Sequence, residues 1–302
     1  MHKDYQAISI KGYLYALGAT IIWSGNFVVA RGLIENIPPI SLAFWRWTIA
    51  AIFLLPFAIK PLIADWKFIK RYFVYLSTLS LTGVTLFNTL IYIGSHTTSA
   101  INLSLISITF PIFIIFLTRF FYGEVISFNK WIGIFFVTAG IIILTSKGDW
   151  LVIKNMSFTE GDLWMLLAAI LFSIYTVLLK QKPKGISALS IQCSTFILGL
   201  FFLIPLYIWE SQSTTFQILE INLNTLISIL YLGVFASIIA FILWSGAIEI
   251  LGPTKTSIIY YSLPVFSALL AYLFLAEVTG IIHIVSIILI FIGIWIAISG
   301  SN

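Results

Sequence analysis

Arg46 is the basic residue of this chain that falls inside a long apolar run, flanked by Trp45 and Trp47. It sits about seven positions into the run 40–59, at a depth where a lone charge costs about 3 kcal/mol even on the lenient insertion scale. Two roles fit such a residue. It could face a cavity and attract an anion or gate a path. It could also be structural, snorkelling outward and stacking between Trp45 and Trp47, or pairing with an acidic residue such as Glu277. The residues alone leave both roles open. Glu124 and Glu277 each follow a proline, Pro111 and Pro264, by thirteen positions. Each carboxylate could close one face of a cavity as a gate, or accept hydrogen bonds at a helix end; the second reading is preferred. Pro111 and Pro264, at mid-run, would each free backbone groups one turn earlier and permit bending.

Polar and aromatic residues at helical spacing supply a candidate binding surface. Trp23 and Asn26 stand three apart, Asn88 and Tyr92 four apart, and Ser104 and Ser107 three apart, so each pair shares a helix face. Ser257, Tyr260, Tyr261 and Pro264 form an i, i+3, i+4, i+7 stripe. Polar groups in apolar runs turn to the bundle interior, because lipid cannot satisfy them. With Tyr175 and Trp244 as further amphipathic rings, the substrate-binding candidates are Trp23, Asn26, Arg46, Asn88, Tyr92, Ser107, Tyr175, Trp244, Tyr260 and Tyr261. Pro111, Glu124, Pro264 and Glu277 are the gating or structural candidates. For the serines helix–helix bonding is the preferred reading.

Other chemistry finds no residues to carry it. The apolar runs hold no aspartate pair, and His2, His96 and His283 have no partner at ligand spacing. There is no GxxxxGK[ST] phosphate loop. The single cysteine, Cys193, has no intramolecular disulfide partner and no histidine nearby. No catalytic residue, metal or cofactor is expected. Lys180 and Glu249 lie at run ends, so no carboxylate proton relay is expected at a span centre.

The elements that must position these residues follow from composition. Of 302 residues, 60% are hydrophobic and 9% charged, against about 25% charged in soluble domains. So few charges cannot cover a water-facing surface, which excludes a two-domain cytosolic enzyme, a nucleic-acid binder and a disordered scaffold. Apolar runs are expected to cross the membrane at about 12–31, 40–59, 73–94, 98–120, 130–146, 161–180, 187–209, 223–245, 255–275 and 280–299. The first is read as an uncleaved span rather than a signal peptide, because it is too long and carries Trp23 and Asn26. Strand-like dyads are absent, so the fold class is an all-α polytopic membrane protein.

Orientation follows the lysines and arginines. With the N-terminus inside, Lys3, Lys11, Lys60, Lys67, Lys70, Arg71, Arg119, Lys130, Lys180, Lys182, Lys184 and Lys255 fall on the inner side, and Arg31, Lys147 and Lys154 outside. The positive-inside rule therefore predicts cytoplasmic termini. The net charge of +5 is read as this loop bias, with no nucleic-acid partner.

The halves also repeat. An offset of 149 maps Gly12 to Gly161, Ser24 to Ser173 and Pro56 to Pro205; an offset of 153 maps Ser104 to Ser257, Ser107 to Tyr260, Pro111 to Pro264, Glu124 to Glu277 and Gly140 to Gly293. Five spans per half, at 1–150 and 151–302, enter the membrane from opposite sides. Inverted repeats of this kind build secondary transporters with a midplane site between the halves. Gly133 with Gly140, and Ser286 with Gly293, place small residues seven apart on spans five and ten, predicting a close-packed dimer seam or a back wall away from the path.

Phe44-Trp45-Arg46-Trp47, the Pro111…Gly123-Glu124 and Pro264…Ala276-Glu277 endings and the Gly133…Gly140 pattern together resemble the EamA-type members of the drug/metabolite transporter superfamily. The resemblance covers nearly the whole chain, in motif order and duplication. It implies ten helices in two inverted five-helix repeats, a central cavity, alternating access, and export or exchange of amino acids, related metabolites or drugs, and it favours the structural role for Arg46 over substrate contact. The expected protein is a multi-pass inner-membrane transporter, monomer or homodimer, in a lipid bilayer with a small-molecule substrate. A membrane-embedded enzyme and a passive channel are the alternatives.

Overall fold

The computed structural model describes residues 2–33, 37–98, 103, 106–107, 109–213, 223–275 and 280–299. Glu277 and Ser104 lie outside the described residues. Within them every element is helical, as expected where apolar chain has no water to satisfy its backbone. In chain order these are α1 (His2–Leu33), α2 (Pro39–Ala64), α3 (Trp66–Arg71), α4 (Phe73–Leu79), a π segment (Ser80–Thr85), α5 (Leu86–Ser95), α6 (Thr109–Tyr122), α7 (Phe128–Ser146), α8 (Trp150–Lys154), α9 (Glu160–Leu179), α10 (Ala188–Ser213), α11 (Leu223–Leu230), a second π segment (Tyr231–Ile239), α12 (Ala240–Tyr260), α13 (Leu263–Leu275) and α14 (Ile281–Ser299). Among the described residues seven helical runs are long and apolar enough to cross a membrane, with Thr109–Tyr122 as a shorter apolar helix. Phe57, Phe120, Phe135 and Trp295 point outward, fully suited to lipid and not to water.

Several boundaries differ from the sequence reading. Lys60 and Pro61 continue α2 instead of ending it. The run Leu223–Tyr260 is unbroken by hydrogen bonding, but Gly252 leaves helical geometry at φ 80°, ψ 163°, with Pro253 behind it. A left-handed residue followed by proline is a reversal point, and here only glycine adopts it without strain. Pro264 does not kink a continuous helix. The chain turns at Tyr261–Ser262 and α13 begins at Leu263, so Pro264 occupies a first turn, where its missing N–H costs nothing. Pro111 likewise stands in the first turn of the described extent of α6.

Two apolar cores result. The larger gathers Trp23, Trp47, Phe172, Phe196, Phe241 and Trp244 from α1, α2, α9, α10 and α12. The smaller joins α7 and α14 through Ile134, Val137, Ile141, Ile290 and Ile294. In this second layer a Cβ on Gly133 would lie 2.5 Å from both Gly293 O and Ala297 Cβ, and one on Gly293 would lie 2.6 Å from Gly133 O. Gly140 faces Ile290 and Ser286. Of the two expected uses of these small residues, the structure has the back wall: they pack α7 on α14 within one chain.

The antiparallel pair α2 and α10 is clasped at both ends. The Ser187 N–H, at the entry to α10, donates to Asp65 just beyond α2 at 2.8 Å. At the opposite face, Ile40 N–H, Ser41 N–H and the Ser41 hydroxyl donate to Glu210 of α10 at 2.9, 2.6 and 2.7 Å. Each carboxylate satisfies orphan N–H groups of the other helix and complements its positive end.

Candidate substrate site

Arg46 is 1% exposed, so it does not snorkel. Its guanidinium stacks on Trp47, at 5.2 Å from the ring centroid. Trp45 is not its second plate: that ring is 36% exposed and packs on Phe44 and Tyr207. Three helical segments, α1, α5 and the second π segment, supply the arginine's acceptors. Nε donates to Ser237 Oγ at 2.6 Å, and Nη1 to Asn26 Oδ1, Asn88 Oδ1 and Tyr92 OH at 3.1, 2.7 and 2.9 Å. Nη2 donates to Ala236 O at 3.0 Å. All five acceptors are neutral, and no described carboxylate pairs with Arg46. The proposed partner Glu277 lies outside the described residues.

The π segments explain how such a socket forms. Lengthening the turn releases a carbonyl from the regular ladder. Ala236 O, in the second π segment, accepts both Arg46 Nη2 and Trp23 Nε1, the latter at 2.9 Å. Ser237 Oγ accepts from Arg46 and donates five residues back to Leu232 O at 2.9 Å. The first π segment carries Gly83, where a Cβ would lie 2.3 Å from the Tyr175 ring. In the second, a Cβ on Gly233 would lie 2.5 Å from Ile49. A glycine in each π segment thus admits a neighbouring helix.

Beside the arginine stands a ring cluster. Trp23 meets Phe172, Phe241, Trp244 and Tyr260 at centroid distances of 5.5, 5.6, 5.2 and 6.2 Å. Phe110 meets Tyr260 at 4.9 Å and Phe172 at 5.0 Å. Trp244 Nε1 donates to Thr176 at 3.2 Å. Ser107, Ile91, Phe87 and Met165 join Phe110, Phe172 and Tyr260 around a central space of about 10 Å³, room for about one water. The rings therefore close the central cavity expected from the sequence.

The structure brings Trp23, Asn26, Arg46, Asn88 and Tyr92 together, and sets Trp244, Tyr260 and Ser107 beside them. Tyr175 is packed against Phe172 and Phe241 behind the space rather than on it. Tyr261 departs altogether. The turn after Tyr260 sends it into the α7–α14 layer, where its hydroxyl is buried with no partner among the described residues. The sequence reading missed Ser237, Ala236, Phe110, Phe172 and Phe241. The repeat offset could have found Ser237, which lies 149 positions after Asn88. It also pairs Trp23 with Phe172 and Trp47 with Phe196, and both pairs touch, at 5.5 and 4.7 Å.

At one face, Glu124 accepts hydrogen bonds from Thr254 at 2.6 Å and Lys180 at 3.0 Å. Both donors lie in the second half of the chain. Burial alone would raise this carboxyl, but the Thr254 and Lys180 hydrogen bonds and the charges of Lys180 and Lys130 outweigh it, holding it below its ordinary value. Arg119 reaches only the Glu124 main-chain oxygen, at 3.4 Å. Lys182 and Glu249 pair nearby at 2.6 Å. At the other face Thr98 donates to Asp162, which also caps α9 with Thr159. Polar contacts between the halves therefore lie on both sides of the ring cluster.

The EamA-like transporter family matches residues 10–146 and 159–299. The chain belongs to that family. Among relatives of this EamA chain, an uncharacterized transporter of Archaeoglobus fulgidus is 28% identical, over 88% of this chain and 90% of its own. The uncharacterized transporter YyaM of Bacillus subtilis is 24% identical, over 93% and 92%. One crystal structure superposes with a TM-score of 0.75 over 95% of this chain and 96% of that one, at 17% identity, and so shares the fold. The EamA chain is thus a multi-pass membrane protein of a transporter family.

Proposed function

We propose that this protein is a secondary transporter of small metabolites, amino acids or related compounds and drugs among them, working as an exporter or exchanger by alternating access. In this reading ten spans form two five-helix halves, 1–150 and 151–302, of opposite orientation. The lysine-bearing face of Lys180 and Lys182 is cytoplasmic, as are both termini, and the chain works in the inner membrane as a monomer or homodimer. No enzymatic step is involved.

The contact of repeat-equivalent residues carries this reading. Trp23 with Phe172 and Trp47 with Phe196 touch across one centre, as residues on a two-fold axis between inverted halves must. The α2–α10 pair is capped reciprocally at opposite faces, which accords with the same axis. Alternating access then consists of releasing one set of polar contacts at a time: Glu124–Lys180 and its neighbours on one face, Thr98–Asp162 on the other. A ring-filled centre favours a carrier over an open channel. Uptake by purified protein in proteoliposomes, over a panel of amino acids, organic acids and amines with and without a pH gradient, tests the reading. Saturable uptake of at least one compound is expected; protein-independent leakage of every compound contradicts it.

A further inference from the structure

Around Arg46 donors outnumber acceptors, and the excess carries a positive charge. The guanidinium is 1% exposed and all five of its acceptors are neutral. Nη1 shares two hydrogens among three acceptors, while Nη2 makes one bond with two. Asn88 turns Oδ1 to Arg46, which leaves its Nδ2 buried without an acceptor among the described residues. Trp47, the ring under the guanidinium, has Nε1 buried and unpartnered in the same way. An internal counter-ion would correct both the charge and the donor surplus, and no described residue supplies one.

The apolar side of the site is equally one-sided. Trp23 shares Ala236 O with Arg46 and packs on Phe172 and Tyr260, which border the central space. Trp23 thus joins the arginine socket to the rings that border the space, through Ala236 O on one side and Phe172 and Tyr260 on the other. The charge belongs to one half only: at an offset of 149, Arg46 corresponds to Thr195, Asn88 to Ser237 and Tyr92 to Phe241.

We infer that Arg46, with Asn88, binds the carboxylate of a substrate whose apolar, ring-bearing body lies among Trp23, Phe172 and Tyr260. This deepens the transporter reading and rests on it. A carboxylate accepts from the Nη2 hydrogen that the socket leaves unused and from Asn88 Nδ2, and its charge strengthens both bonds. The cation's cost of burial is then offset by the cargo.

One body with three heads separates the possibilities. Phenylacetate, phenylacetamide and phenethylamine are titrated against full-length protein in detergent, read by tryptophan fluorescence and thermal shift. Wild type is expected to bind phenylacetate about tenfold or more tighter than the amide or the amine, the difference that one charge-assisted pair supplies. Asn88→Asp provides the missing counter-charge without removing Arg46. It is expected to elute and melt as wild type does, and to lose the phenylacetate preference. Equal binding of all three, preference for the amine, binding of none, or an Asn88→Asp protein that keeps its anion preference overturns the inference. Saturable proteoliposome uptake without carboxylate preference overturns it too, while leaving the transporter reading intact; absence of uptake for the whole panel removes that reading instead.

Discussion

Arg46 organises its surroundings by number and direction of donors rather than by a salt bridge. Asn26, Asn88, Tyr92 and Ser237 are buried polar groups whose oxygens all turn to one guanidinium. Arg46→Ala leaves these acceptors and Ala236 O without that donor, and each orphaned buried group costs about 1–3 kcal/mol. Thermal unfolding of the purified variant should show a loss of about 3 kcal/mol or more. Arg46→Lys should fall between, because an ammonium cannot reproduce the planar fork; a wild-type melting profile for Arg46→Ala would contradict the socket. Glu124 yields a pH signature. Its carboxyl is held below its ordinary value through Thr254 and Lys180 against the effect of burial, so its stabilisation is present above the ordinary value and lost as pH falls through the depressed one. The Lys180–Glu124 pair is partly exposed, so Glu124→Gln should cost about 1 kcal/mol or less at neutral pH. Comparing melting temperatures from neutral pH down to about pH 3 should show that difference vanish; a constant difference would assign the effect to packing.

Among the elements, the back wall and the π segments divide what could be read in advance from what could not. Gly133, Gly140, Ser286 and Gly293 announced the α7–α14 contact by spacing alone, since small residues on one face allow close approach. Gly133→Ala puts a Cβ 2.5 Å from Gly293 O, which can be relieved only by separating the helices. A loss of about 1–3 kcal/mol is expected, read as a lower yield of folded protein and a lower melting temperature; unchanged folding would show that the seam is looser than drawn. No residue type marks the π segments. Ser80–Thr85 and Tyr231–Ile239 contain ordinary helix-tolerant residues with one glycine each, and the extra residue per turn is decided by packing on Tyr175 and Ile49. The break at Tyr261–Ser262 was hidden for the opposite reason: Pro264 suggested a mid-helix kink, whereas the helix had already ended. That error placed Tyr261 on the path, while Tyr260, one position earlier, faces the centre.

Across the whole molecule, helical class was legible because lipid imposes it on every span through composition, and family because its motifs stand in order along the chain. The socket was not, because Arg46 is completed by Ala236 and Ser237 from about 190 positions away, and contact at that range leaves no local pattern. Topology is testable apart from transport. A cysteine at position 154, in the 147–160 connection, should react with an impermeant thiol reagent in intact cells, and reaction only after permeabilisation would reverse the orientation. The central claim is that two inverted halves expose one ring-lined site to each side in turn. Counterflow in proteoliposomes tests it most directly: vesicles loaded with an unlabelled panel compound that the protein carries are diluted into a trace of the labelled form. The account predicts transient accumulation of label above equilibrium, saturable and abolished in empty vesicles. A linear, non-saturable flux that ignores the compound loaded inside would contradict it.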